Sequence, residues 1–260
     1  MKLAVLGSGS AFTLEEDNYQ SNFILENDEG KRLLIDCGSD ARWSLHKFGL
    51  SYRDIDGVFI SHLHGDHTGG LDWLAFNTYF DPSCKKPALY ISSLLVDDLW
   101  NKSLAGSLSS LEMIKAELST YFNVIVIEND TFFNWFGLNV SLIKTIHAIS
   151  NQQILPSYGL FFSINDTNVF ITGDTRFLPN QFKNLYKQAS IIFHDCETSH
   201  KPTGIHAHYE ELKTLDEEIK RKMWLYQYSP GPLPDANKDG FKGFLLRGQK
   251  FNFPYVRKVN

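Results

Sequence analysis

Four metal-binding side chains fall within six positions: His62-Leu63-His64-Gly65-Asp66-His67. Imidazole nitrogens are borderline-soft donors and a carboxylate oxygen is a hard one, a mixture that suits zinc, iron or manganese. His62 and His64 alternate about Leu63, so on extended backbone both face one side. Gly65 lets the chain turn, and Asp66 and His67 beyond it reach a second position beside the first. The spacing favours two cations over one. Paired cations are a hydrolytic device: they activate water and neutralise the charge that builds on a reacting oxygen.

The elements that must position this motif are legible around it. Asp56-Gly57-Val58-Phe59-Ile60 reads as a buried strand that delivers it, and Gly69 and Gly70 follow. Lys2 to Leu6 reads as a first strand. Gly7-Ser8-Gly9-Ser10 lacks the third glycine of a dinucleotide fingerprint and the lysine of a P-loop, which predicts a turn, not a phosphate cradle. Residues 22–25 and 32–35 flank Asn27-Asp28-Glu29-Gly30 as a hairpin. Trp43, Leu45 and Phe48 predict a helix over 40–48. Strands are expected at 88–91, 124–127, 138–143, 160–164, 169–172, 191–193 and 224–228, with helices from 71, over 108–122 and over 209–223. The stripe Leu108, Leu111, Met113, Ile114, Leu118 and Phe122 reads as core packing. Pro230, Pro232 and Pro234 stiffen a late loop. With no repeat, linker or low-complexity stretch, residues 1–260 read as one α/β domain.

Composition narrows the function. A chain of 260 residues has room for a sizeable core. The net charge of −5 and the lack of a basic stretch argue against a nucleic-acid partner. Cys37, Cys84 and Cys196 are far apart and form no C-x-x-C pair, which reads as reduced thiols in a cytoplasmic protein. Met1 to Phe12 reads as strand and turn, unlike a signal peptide, and no apolar run is long enough to cross a membrane. Frequent Phe, Tyr and Trp offer a base-stacking wall, although core packing is the default for each.

Three further polar residues follow predicted strands: His147 after 142–146, Asp174 after 169–173 and Asp195 after 191–194. Open sheets place their chemistry at such strand ends. One such histidine is as often a satisfied polar residue as a ligand; three positions together with the first motif point to a site.

Leu6-Gly7-Ser8-Gly9-Ser10, the His62–His67 motif, the lone His147 and Thr172-Gly173-Asp174-Thr175 stand in the order found in metallo-β-lactamase-fold hydrolases, and the chain resembles that family over nearly its whole length. The resemblance implies a four-layer αββα sandwich. It is strongest to the phosphodiesterase branch related to tRNase Z. Gly204-Ile205-His206-Ala207-His208-Tyr209-Glu210-Glu211-Leu212 and Pro230-Gly231-Pro232-Leu233-Pro234-Asp235-Ala236 narrow it toward the phage anti-Pycsar enzymes and their bacterial relatives. Those enzymes are dimeric and cleave cyclic nucleotides, so the resemblance implies a homodimer acting on a small nucleotide.

Carried over by residue, the resemblance implies two divalent ions, zinc or manganese. His62, His64 and His147 hold the first, Asp66 and His67 belong to the second, and Asp174 bridges them. Asp66 counts with the catalytic groups as well. Asp195 is expected to orient His208, which protonates the leaving oxygen, with His206 as the reserve. His46, His194 and His200 read as structural or surface residues. The family supplies one more histidine from the late strand, and here that position, in Trp224-Leu225-Tyr226-Gln227-Tyr228, is Gln227. An amide oxygen is a poorer transition-metal ligand than imidazole. The departure predicts a second site that is weak, water-completed or empty, or one suited to a harder ion such as manganese, and leaves open that Gln227 is a plain sheet residue. The expected function is a metal-dependent phosphodiesterase. A tRNA 3′ endonuclease, a lactonase-type hydrolase and a non-catalytic nucleotide-binding protein are the competing readings.

Overall fold

In a computed structural model, residues 1–128 and 131–253 are described, and they form two sheets with helices on their outer faces. The first sheet takes β1 (Lys2–Gly7), β2 (Asn22–Glu26), β3 (Arg32–Ile35), β4 (Gly57–Ile60), β5 (Ala88–Ser92) and β6 (Asn123–Ile127). The second takes β7 (Phe132–Trp135), β8 (Leu138–Ser150), β9 (Gln153–Ile164), β10 (Thr167–Ile171), β11 (Ile191–Asp195), β12 (Met223–Tyr226) and β13 (Gly243–Phe244). The last strand, β14 (Lys250–Asn252), returns to the first sheet, giving the orders β14-β1-β2-β3-β4-β5-β6 and β13-β12-β11-β10-β9-β8-β7. Both sheets are mixed. β3 to β6 run parallel in one, β10 to β13 run parallel in the other, and antiparallel hairpins complete each.

Side chains alternate across a strand, so one strand can feed two cores. Val169 and Ile171 of β10 enter the core shared by the two sheets, while Phe170 between them packs outward with Phe182 and Tyr186. In β12, Tyr226 faces inward and Met223 and Leu225 outward. The first sheet carries α1 (Ala41–Phe48), α2 (Gly65–Thr68) and α3 (Leu71–Phe80) in its crossovers. α4 (Val96–Asp98) runs through a π-helical turn (Leu99–Leu104) into α5 (Ala105–Leu108), and α6 (Leu118–Tyr121) precedes β6. α7 (Pro179–Gln188), α8 (Tyr209–Leu212) and α9 (Glu217–Lys220) belong to the second sheet's crossovers. This is the expected α/β sandwich with two sheets between helical layers.

Several boundaries depart from the sequence reading. Of the helix expected over 108–122 only Leu108, the last residue of α5, and α6 are helical; the stretch between is turn and coil, with Met113 at a left-handed φ of 67° and 97 % exposed. Its apolar stripe mixes core positions, such as Leu108 and Leu118, with solvent ones. The helix expected over 209–223 breaks at Thr214, whose hydroxyl donates to the Glu211 carbonyl, and restarts after Asp216. The strands expected at 138–143 and 160–164 extend into one long hairpin, β8–β9. Its turn is made by Asn151 and Gln152 at positive φ, with no glycine to announce it.

Candidate metal centre

Crossovers of both sheets end at one edge of the sandwich, and that edge collects the polar residues. β4 runs out into His62, β10 into Asp174, and β12 into Gln227. Asp195 is the last residue of β11. His147 is not past a strand end, as expected, but inside β8, where the pairing register shifts between Ile146 and Ile149. Such an irregularity re-aims a side chain. It turns His147 toward His64, with its Nε2 3.1 Å from His64 Nδ1. Gly173 makes the sharp exit from β10 at a φ of 62°, and a Cβ there would lie 2.6 Å from the Tyr158 carbonyl oxygen.

Three imidazole nitrogens converge. His62 Nε2 lies 3.0 Å from His64 Nδ1, which lies 3.1 Å from His147 Nε2. Tetrahedral zinc at its usual distance from nitrogen would space neighbouring donors by about 3.4 Å, so the spacing is that of one cation's shell. The His147 tautomer agrees. Its Nδ1 lies 2.7 Å from the Ile205 carbonyl oxygen and must donate there, which leaves Nε2 a bare lone pair. Burial holds His147 down at about 4 and lowers His62 well below its usual value, so both rings are neutral ligand forms.

A second donor set adjoins the first. His67 Nε2 is 3.1 Å from Asp66 Oδ2 and 3.3 Å from Asp174 Oδ2, yet it is hydrogen-bonded to neither. Asp174 Oδ2 also stands 3.8 Å from His62 Nε2 and 3.7 Å from His147 Nε2, so one carboxylate reaches both sets. Burial works against a charged Asp174, but His67 and then His206 outweigh it and keep the group ionised. Thr145 and Ser157 hydroxyls donate to the Asp174 backbone carbonyl and hold it in place. Buried charges and bare lone pairs facing one another are costly unless something neutralises them. Ligand atoms of His62, His64 and His147, and of His62, His67 and Asp174, lie within 4.8 Å of one another and fit divalent cations, and Asp66 Oδ2, 3.1 Å from His67 Nε2, adjoins the second set.

Asp36, which follows the predicted hairpin, is a functional residue that the sequence analysis does not identify. It sits at a left-handed φ of 61°, a conformation Asp tolerates better than most residues. Its Oδ2 accepts from Ser61 Oγ at 2.7 Å and from His67 Nδ1 at 2.8 Å, and its Oδ1 accepts from the Ser61 amide. Asp36 therefore fixes the proton on His67 Nδ1 and aims Nε2 at the site. No sequence signal marks this role, because the positive φ and the contact with His67 exist only in the folded chain. Asp36→Asn keeps the turn and removes the charge. It is expected to weaken cation binding ~10–100-fold, measured by competition with a chromophoric chelator.

The expected pair of Asp195 with His208 is corrected. Asp195 Oδ2 accepts from His206 Nδ1 at 2.9 Å and from the Thr175 amide at 2.8 Å. His208 has both nitrogens occupied elsewhere: Nε2 donates to the Ser199 carbonyl, and Nδ1 accepts from the Glu210 amide as the cap of α8. It has no free nitrogen to offer a substrate. His206 groups with His147 and Asp174, its ring 4.7 Å from that of His147. Burial opposes its charge, but the Asp195 carboxylate overcomes that and holds His206 up at about 10. His194 is structural, buried against Tyr186, and His46 and His200 are exposed.

Gln227 reaches the second donor set with its amide nitrogen. Nε2 donates to Asp66 Oδ2 and Asp174 Oδ2, each at 3.1 Å. The Gly7–Ser10 loop turns out to clamp this residue: the Ser8 carbonyl accepts from the Gln227 amide, and Ser8 Oγ lies 2.8 Å from Tyr228 Oη.

Beside the donor nitrogens lies a cavity of about 330 Å³ lined by Leu94, Leu95, Leu155 and Pro156, with Lys102 and Ser103 from the π-helical turn. Among the described residues no Phe, Tyr or Trp lines it, so the base-stacking wall raised by composition is not found there. Among the described residues no helix is long and apolar enough to cross a membrane.

The chain is 39 % identical over 230 residues to the anti-Pycsar protein Apyc1 of Paenibacillus harenae, spanning 88 % of this chain and 90 % of that one. It is 31 % identical over 260 residues to that of Bacillus phage 010DV004, spanning 96 % and 98 %. Among solved structures, the metallo-β-lactamase-fold protein YhfI of Bacillus subtilis superposes with a TM-score of 0.74 at 17 % identity, over 96 % of this chain and 99 % of that one. The family model described as anti-Pycsar protein Apyc1 matches residues 1–251, and the chain belongs to that family.

Proposed function

We propose that the protein is a divalent-metal-dependent phosphodiesterase acting on a small, cyclic nucleotide. The observation that carries this reading is the pairing of the buried donor cluster with His206, a proton-bearing imidazole whose Nε2 is left free by its bond to Asp195. When bound, divalent cations supply Lewis acidity, making water nucleophilic near neutral pH and offsetting charge on the non-bridging phosphate oxygens. His62, His64 and His147 would hold the first cation, and Asp66 and His67 the second, with Asp174 shared. Asp195 keeps His206 charged and oriented, so that it donates a proton to the departing ribose alkoxide. Asp36 keeps His67 in its ligating tautomer.

The cavity of about 330 Å³ beside His62, His64 and His147 is at the lower end of small-molecule sites. Its aliphatic walls suit the flat face of one base and leave no track for an RNA strand. The acidic balance of the chain also favours a small substrate over tRNA. Membership of the anti-Pycsar family, whose resembled enzymes cleave cyclic nucleotides, supports the choice of substrate. Metal-replete protein assayed side by side on bis(p-nitrophenyl) phosphate, a cyclic nucleotide panel, a precursor tRNA and a lactone tests the reading. Turnover of the first two alone is expected. No phosphodiester turnover with any added cation rejects it.

A further inference from the structure

We propose that Gln227 acts as a built-in substitute for the second cation, so that the centre binds its two ions with unequal affinity. The inference rests on the metal-centre reading above and concerns what this chain's own residues do when the second position holds no ion. The Gln227 side chain is buried, and its Nε2 donates to both Asp66 and Asp174, the carboxylates a second cation would join. Its Oε1 is buried with no hydrogen-bond partner among the described residues.

Orientation of an amide is assigned from its surroundings, and here the surroundings leave no choice. Turned the other way, Oε1 would face two carboxylate oxygens and Nε2 would lose both acceptors. A cation in the same place reverses the preference, because only Oε1 can ligate it. Entry of the second ion must therefore break two hydrogen bonds to charged groups and rotate the amide. Imidazole at this position would present a lone pair without that competition. The first position is touched only through Asp174, because His62, His64 and His147 meet one another and none of the three is hydrogen-bonded to Gln227.

The backbone reinforces the device. Gln227, just past β12, is held at a left-handed φ of 66° with its backbone amide donating to the Ser8 carbonyl, which fixes the point from which the side chain reaches the carboxylates. A non-glycine residue keeps such a conformation where its surroundings over-determine it.

Isothermal titration of chelator-stripped protein with Zn²⁺ and with Mn²⁺ tests this, alongside Gln227→His and the isosteric Gln227→Glu. Wild type is expected to bind one equivalent tightly and a second at least ~10-fold more weakly, and Gln227→His to tighten only the second by ~10–100-fold. Gln227→Glu removes the donors and adds a third carboxylate. Without metal it is expected to melt below wild type, and a second equivalent of cation should restore it. If neither equivalent binds wild type, the metal-centre reading itself fails. If the first binds but the second is equally tight in wild type, or is untouched by both substitutions, the inference fails while the reading stands.

Discussion

Asp174→Ala is expected to lower kcat on a cyclic nucleotide on the order of 10³-fold, the scale seen when a preorganised electrostatic group is removed. The reason is its position between the two donor sets. A single oxygen, Oδ2, stands 3.3 Å from His67 Nε2 and 3.7 Å from His147 Nε2, and no other described carboxylate reaches both. The backbone of Asp174 is fixed separately, by Thr145 and Ser157, so truncation deletes the carboxylate without freeing the loop. His62, His64 and His147 remain, so the variant should keep one cation while losing turnover. Rate and metal content measured on the same preparation check this. A variant that keeps both wild-type rate and stoichiometry would show that Asp174 is a satisfied core residue.

The second large effect separates two histidines that lie two residues apart. His206→Ala is expected to cost ~10²–10⁴ in kcat where the leaving group is a ribose alkoxide that needs a proton. On bis(p-nitrophenyl) phosphate, whose leaving group departs unprotonated, the same variant should stay near wild type. His208→Ala should leave both rates within a few-fold and reduce stability by about 0.5–2 kcal/mol, because it removes the cap of α8. Steady-state rates on the two substrates, with a thermal melt for each variant, decide it. Loss of turnover in His208→Ala with retention in His206→Ala would reverse the assignment.

That misplacement shows where sequence reasoning ran out. Both histidines sit on the same loop, and spacing cannot tell which ring turns inward. What decides is the Ser199 carbonyl and the start of α8, which claim the two nitrogens of His208. The dense motif His62–His67 was readable because alternation about Leu63 and the turn at Gly65 are local. The lone His147 was readable as a candidate, but its aim depends on a register shift within a long hairpin. Asp36 escaped notice because its role arises only when β3 and β4 pair and bring Ser61 and His67 beside it. At fold level, buried strands such as β4 and β10 were legible from unbroken apolar runs. The split helices were not, because the apolar spacing runs on through the non-helical stretch after Leu108 and past the break at Thr214.

Metal-replete crystals soaked with a nucleoside monophosphate put the central claim to its most direct test. Cation density enclosed by His62, His64, His147 and Asp174 is expected, with the phosphate against it, His206 at the ester oxygen and the base between Leu94 and Leu155. A cation absent from that cluster, or a phosphate bound at another face of the protein, would contradict it.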